Sequence, residues 1–115
     1  MDHRELAAEL FLSDCNCAQA VLEAFGDVTG LEKSFAAKLA SSFGGGMGRM
    51  REVCGAVSGM LMVAGLLYGY DDPGENDVNK KAHYRLVQNL AGQFREGIGS
   101  IICREILDNP PSDPN

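Results

Sequence analysis

VCGAVSGMLMVAGLLYGY, running from Val53 to Tyr70, is a stretch of 18 residues without a formal charge. That length reaches the lower edge of what spans a bilayer. Four glycines (Gly55, Gly59, Gly65, Gly69), Cys54 and Ser58 dilute its hydrophobicity, and no second such stretch follows. No aromatic belt flanks both ends. The reading is therefore a helix buried on most sides rather than a membrane span. It is expected to start near Arg51, end near Tyr68 and be the most buried element. Its glycines let another helix approach closely, which also favours a homodimer.

The flanking sequence is helical in period. Leu6, Ala7, Leu10 and Phe11 form one apolar face, with Asp2 and Glu5 placed to cap its start. Ser13 and Asp14 break that run. A second helix carries Cys17, Ala18, Val21, Leu22 and Phe25 inward; Asn16 and Gln19 have capping-box spacing, and Gly26 is its stop. Thr29 and Glu32 have the same spacing before a third helix bearing Phe35, Ala36, Leu39, Ala40 and Phe43. Gly44-Gly45-Gly46-Met47-Gly48 reads as a loop, because so many glycines are costly in a helix. After the turn Tyr70–Asn76, a fifth helix shows Val78, Ala82, Leu86, Val87, Leu90, Ala91 and Phe94 on one face, ended by Gly97 and Gly99. Ser100 would cap a short last helix with Cys103 at its third position. The expected fold is all-α: a single-domain bundle of five or six helices around the central Gly-rich one. Residues 1–109 are expected to form the domain, and 110–115, with three prolines, a disordered tail.

Composition narrows the function. A chain of 115 residues suits one core. A net charge of −6 with scattered basic residues gives no reason to bind nucleic acid or an anionic membrane. The charged N-terminus lacks an apolar leader segment, so a cytoplasmic location is expected, where thiols are mostly kept reduced. The glycine run lacks the strand and the Gly-Lys-Ser/Thr ending of a phosphate loop. No Cys-x-x-Cys or Cys-x-x-Cys-His occurs, so neither a thioredoxin-type motif nor covalent haem attachment is present.

The four cysteines carry the functional signal. Cys17, Cys54 and Cys103 each read as lying in the first turn of a helix. Unpaired N–H groups and partial positive charge there favour a thiolate, the form that attacks or binds metal. Arg49 and Arg51 lie close to Cys54 in sequence, so Cys54 is expected to be the most activated and to lie near Cys17 in space. Three readings stand together. Dithiol–disulfide chemistry would use Cys17, Cys54 and Cys103 as catalytic thiols, with a redox partner the sequence does not name. An iron–sulfur cluster or zinc would use Cys15, Cys17, Cys54 and Cys103 as ligands, although the spacings of one, 36 and 48 intervening residues match no standard metal signature. A non-catalytic helical interaction module would bury the cysteines as small hydrophobes.

The motifs Asn16-Cys17-Ala18-Gln19-Ala20-Val21, Phe43-Gly44-Gly45-Gly46-Met47-Gly48, Cys54-Gly55-Ala56-Val57-Ser58-Gly59 and Cys103-Arg104-Glu105-Ile106-Leu107 resemble, in order, those of the C_GCAxxG_C_C family. The likeness covers about residues 5 to 107. It implies a small helical, redox-active protein in which Cys17, Cys54 and Cys103 are the first three family cysteines. It also implies a fourth, about where Asn109 stands; this chain has Cys15 instead. Cys15 takes over that role if the two regions adjoin, or is an unrelated surface thiol.

Overall fold

The computed structural model describes residues 2–107, so the expected domain edge at 109 and the tail 110–115 lie outside the described residues. The chain is all-α. Five helices of eight residues or more are α1 (His3–Leu12), α2 (Cys17–Ala24), α4 (Lys33–Ala40), α6 (Gly55–Tyr68) and α7 (Val78–Ile98). Two single turns, α3 (Gly26–Thr29) and α5 (Gly44–Met47), lie between them, and a third, α8 (Cys103–Ile106), follows α7. Short 3₁₀ turns at Ser41–Phe43 and Glu75–Asp77 precede α5 and α7.

Local chemistry sets the helix starts. Asp2 accepts from the Glu5 N–H at 2.8 Å while the Glu5 side chain accepts from the Asp2 N–H at 3.0 Å, a complete capping box. Asn16 and Gln19 repeat it on α2, at 2.9 and 3.0 Å. Glu32, rather than Thr29, caps α4 by accepting from the Ser34 N–H. Gly26 does not end the helical region. It opens α3, which stops at left-handed Gly30. His3 stacks on Phe25, ring centroids 4.1 Å apart, and pairs with Asp27 at 2.8 Å, fastening α1 to the α2–α3 corner.

The core is built from small side chains. Ala18 and Leu22 of α2, Ala36 and Ala40 of α4, and Val63 of α6 form one buried cluster, sealed by Phe25, Leu31, Phe43 and Met62. The helix packed on most sides is α2, which meets α1, α4 and α6. It buries Ala18, Ala20, Leu22 and Ala24 almost completely. This corrects the expectation that the 53–68 segment is the most buried: α6 buries Gly55, Val57, Gly59, Val63 and Ala64, but its last turn leaves Leu66, Leu67 and Tyr68 exposed. Its Gly55 and Gly59 are used inside the chain. A Cβ on Gly59 would stand 2.9 Å from the Ala18 carbonyl oxygen, and one on Gly55 would stand 3.0 Å from that of Phe43. The two glycines let α6 cross α2 at backbone contact. Among the described residues no helix is long and apolar enough to cross a membrane.

Candidate functional site

The start of α6 differs from the expected one, and the difference builds the site. Arg51 to Val53 are not helical. Val53 forms an isolated antiparallel bridge with Ile102. The Cys54 N–H donates to the Ile101 carbonyl at 2.7 Å, and the Cys103 N–H donates to the Glu52 carbonyl at 2.6 Å. Cys54 is thus the cap residue before α6, not part of its first turn. Cys103 is the first residue of α8, not the third, and Ser100 accepts from the Ile102 N–H instead of capping the helix. Arg104 adds bonds to the Met50 carbonyl and the Glu52 carboxylate at 3.1 and 3.2 Å. This two-segment clip brings Cys54 and Cys103, 49 positions apart in sequence, onto one cleft.

Cys17 reaches the same place from α2. Gly55 abuts it: a Cβ there would be 3.1 Å from the Cys17 Cβ. Cys17, Cys54 and Cys103 all line one cleft of about 730 Å³, within the size range of small-molecule sites. Arg49 and Arg51 line it too, and Phe11, Ile106 and Leu107 supply apolar wall. Cys103 is buried, while Cys17 and Cys54 are half-buried. All four cysteines are free.

The glycine run forms the rim. It is not an open loop but a single tight turn, with Gly45 and Gly46 at φ +66° and +73° inside it. Such a backbone suits glycine. Space demands glycine as well. A Cβ on Gly45 would meet the Arg49 side chain at 2.7 Å, and one on Gly46 would meet the Cys103 Cβ at 2.7 Å. The Gly45 N–H acts on the Cys17 thiol to lower its pKa. Asn16, foreseen only as a cap, also lines the cleft and donates to the Ser41 carbonyl at 3.2 Å.

Electrostatics correct the thiolate expectation at Cys17. Burial pushes this thiol above its ordinary value, and nearby Cys54 and, less strongly, Cys103 push the same way. The N–H groups of Cys17 itself and Gly45 pull against them without winning. Desolvation therefore outweighs the helix start.

Cys15 does not join the other three. It lies in a separate cavity of about 430 Å³ with Glu23, Glu32 and Lys33. Nor is it a free surface thiol: it is half-buried, and its S–H donates to the Glu23 carboxylate at 3.6 Å. Burial first, then Glu23, raises its pKa. Among the described residues no group of three or more His, Cys, Asp or Glu is placed to hold a metal ion. The four-cysteine ligand set of the iron–sulfur or zinc reading is thus not assembled.

Sequence reasoning missed Phe11, Ser41, Ile106 and Leu107 as parts of the cleft. No local signal marks them, because their placement depends on how α1 and α8 pack. The family model described as "Putative redox-active protein (C_GCAxxG_C_C)" matches residues 15–115. The chain belongs to this family. The match takes in Cys17, Cys54, Cys103 and the glycine turn between them. The family's description is redox-active, and three of this chain's cysteines line one cleft. Comparison with curated proteins and with solved structures found no match.

Proposed function

We propose that this family member carries out thiol–disulfide exchange in the cleft, with Cys17, Cys54 and Cys103 as its working thiols. The observation that carries the reading is the convergence of three cysteines, from α2, the α6 cap and α8, on one small-molecule-sized cleft.

The sequence of steps follows from burial and proximity. The Cys54 thiolate attacks one sulfur of a disulfide substrate, RS–SR. A protein–substrate disulfide forms, the substrate S–S bond breaks, and RS⁻ leaves. Cys17, kept as a thiol by its burial, gives its proton to the departing RS⁻. Its sulfur then attacks Cys54 and releases the second RS⁻. The protein is oxidised by two electrons and the substrate is reduced to two thiols. The N–H groups of Cys17 and Gly45 stabilise the Cys17 thiolate as it develops. Cys103 takes part by exchange with the Cys17–Cys54 bond. A redox partner restores the dithiol, and the cycle suits a reducing compartment such as the cytoplasm.

The test is peptide mapping by mass spectrometry after the reduced protein is treated with a disulfide. A Cys17–Cys54 link is expected, and Cys54→Ser should leave Cys17 unlinked to it and slow substrate reduction. Three cleft thiols that stay unmodified in the folded protein would overturn the reading.

A further inference from the structure

Large apolar side chains stand exposed around the three-cysteine cleft. Phe11 and Leu107 line it and are 52% and 51% exposed. Gly48 and Arg49 line it too, and the chain neighbours of that pair, Met47 and Met50, are 36% and 62% exposed. The Met50 carbonyl accepts from Arg104 at 3.1 Å, which ties this edge of the glycine turn to α8, the turn that ends one residue before Leu107. Three separate segments of the chain thus bring exposed apolar groups to one cleft. The eight residues after Leu107 offer nothing to cover them: apart from three prolines, they are Asp, Asn and Ser.

Four such side chains, exposed to these extents, present apolar surface on the order of 400 Å². Apolar patches of this size on a folded protein mark sites of interaction. The area suits a brief redox encounter and falls well short of the roughly 800 Å² per partner that a stable interface buries. Flexible methionine side chains also adapt to partners of different shape. The patch adjoins the thiols, so a molecule that covers it brings its own atoms to the mouth of the cleft. We infer that the cleft acts on disulfides carried by a polypeptide, with an apolar side chain beside the bridging cysteine. A small polar disulfide would fit the volume of about 730 Å³ yet leave the patch in water. The exchange is the one already balanced: the substrate S–S bond breaks, Cys17 and Cys54 become linked, and the two substrate cysteines leave as thiols. The inference rests on the proposed function and adds the substrate class.

The experiment reacts the reduced protein with three uncharged probes: a disulfide-closed peptide with Leu beside each Cys, the same peptide with Ser in place of Leu, and hydroxyethyl disulfide. Rates are read at Cys17, Cys54 and Cys103 by trapping and mass spectrometry and normalised to a free cysteine thiol. The Leu peptide should react faster than the Ser peptide by about tenfold or more. Met50→Gln, at an exposed position, should shrink that preference. Leu66→Gln, the same kind of change at an exposed site on the last turn of α6, should leave it as it is. Equal rates for the two peptides, or equal effects of the two substitutions, would overturn this inference while the exchange reading stands. A dimer in solution that Met50→Gln dissolves would assign the patch to a second copy and overturn it as well. No cleft reaction with any probe, hydroxyethyl disulfide included, would overturn both readings.

Discussion

Replacing Gly59 by alanine puts one methyl group where α2 already lies. The new Cβ would be 2.9 Å from the Ala18 carbonyl oxygen and 2.9 Å from the Val21 Cβ, closer than such atoms pack. The first of these is backbone, so α2 or α6 must move. Overpacking of this kind costs about 1–3 kcal/mol. Alanine also gains about 1 kcal/mol over glycine in a helix interior. Gly65→Ala supplies the control. It lies in the same helix, it is exposed, and a Cβ there meets nothing within 4 Å. The propensity gain is common to both variants and cancels in their difference. Gly65→Ala should therefore be more stable than wild type by up to about 1 kcal/mol. Gly59→Ala should be less stable than Gly65→Ala by about 1–3 kcal/mol, the steric contribution alone. Urea unfolding followed by far-ultraviolet circular dichroism measures this gap directly. In thermal melts it corresponds to roughly 4 °C per kcal/mol for a chain of this size. Equal stability of the two variants would refute the claim that α6 crosses α2 at backbone contact.

Two further outcomes follow from the site. Asn16→Ala removes the cap of α2 and the bond to the Ser41 carbonyl, and should cost about 1–2 kcal/mol in urea unfolding; no loss would contradict the paired role of that side chain. The Cys17 thiol is raised in the folded protein, so the neutral form is favoured by folding. Its contribution to stability is complete below the unfolded thiol pKa of about 8.5 and is lost as pH rises through the higher folded value. Wild type should therefore lose more stability between neutral pH and pH about 10 than Cys17→Ser does, and parallel pH profiles would contradict burial as the dominant influence.

What the sequence settled by itself was local. The Asp2–Glu5 and Asn16–Gln19 boxes form as read, because a cap involves residues three apart and needs no tertiary partner. The stop at Gly99 is equally local, a left-handed residue after the last turn. The all-α class follows from apolar period, and the cysteine and glycine motifs pointed to the family. Tertiary structure decided the rest. The chain places α2 at the centre because three neighbours pack on it, a fact no single segment encodes. The start of α6 slips from Arg51 to Gly55 because Val53 and Ile102 bridge, a pairing across 49 positions that also brings Cys54 and Cys103 to one cleft. Cys15 and Cys17 are separated by one residue yet open onto different cavities, since successive positions at a helix start face different neighbours. The state of Cys17 is likewise tertiary. Its helix start is visible in sequence, but the desolvation that overrides it comes from the residues packed around its sulfur, and these are brought in only by the fold.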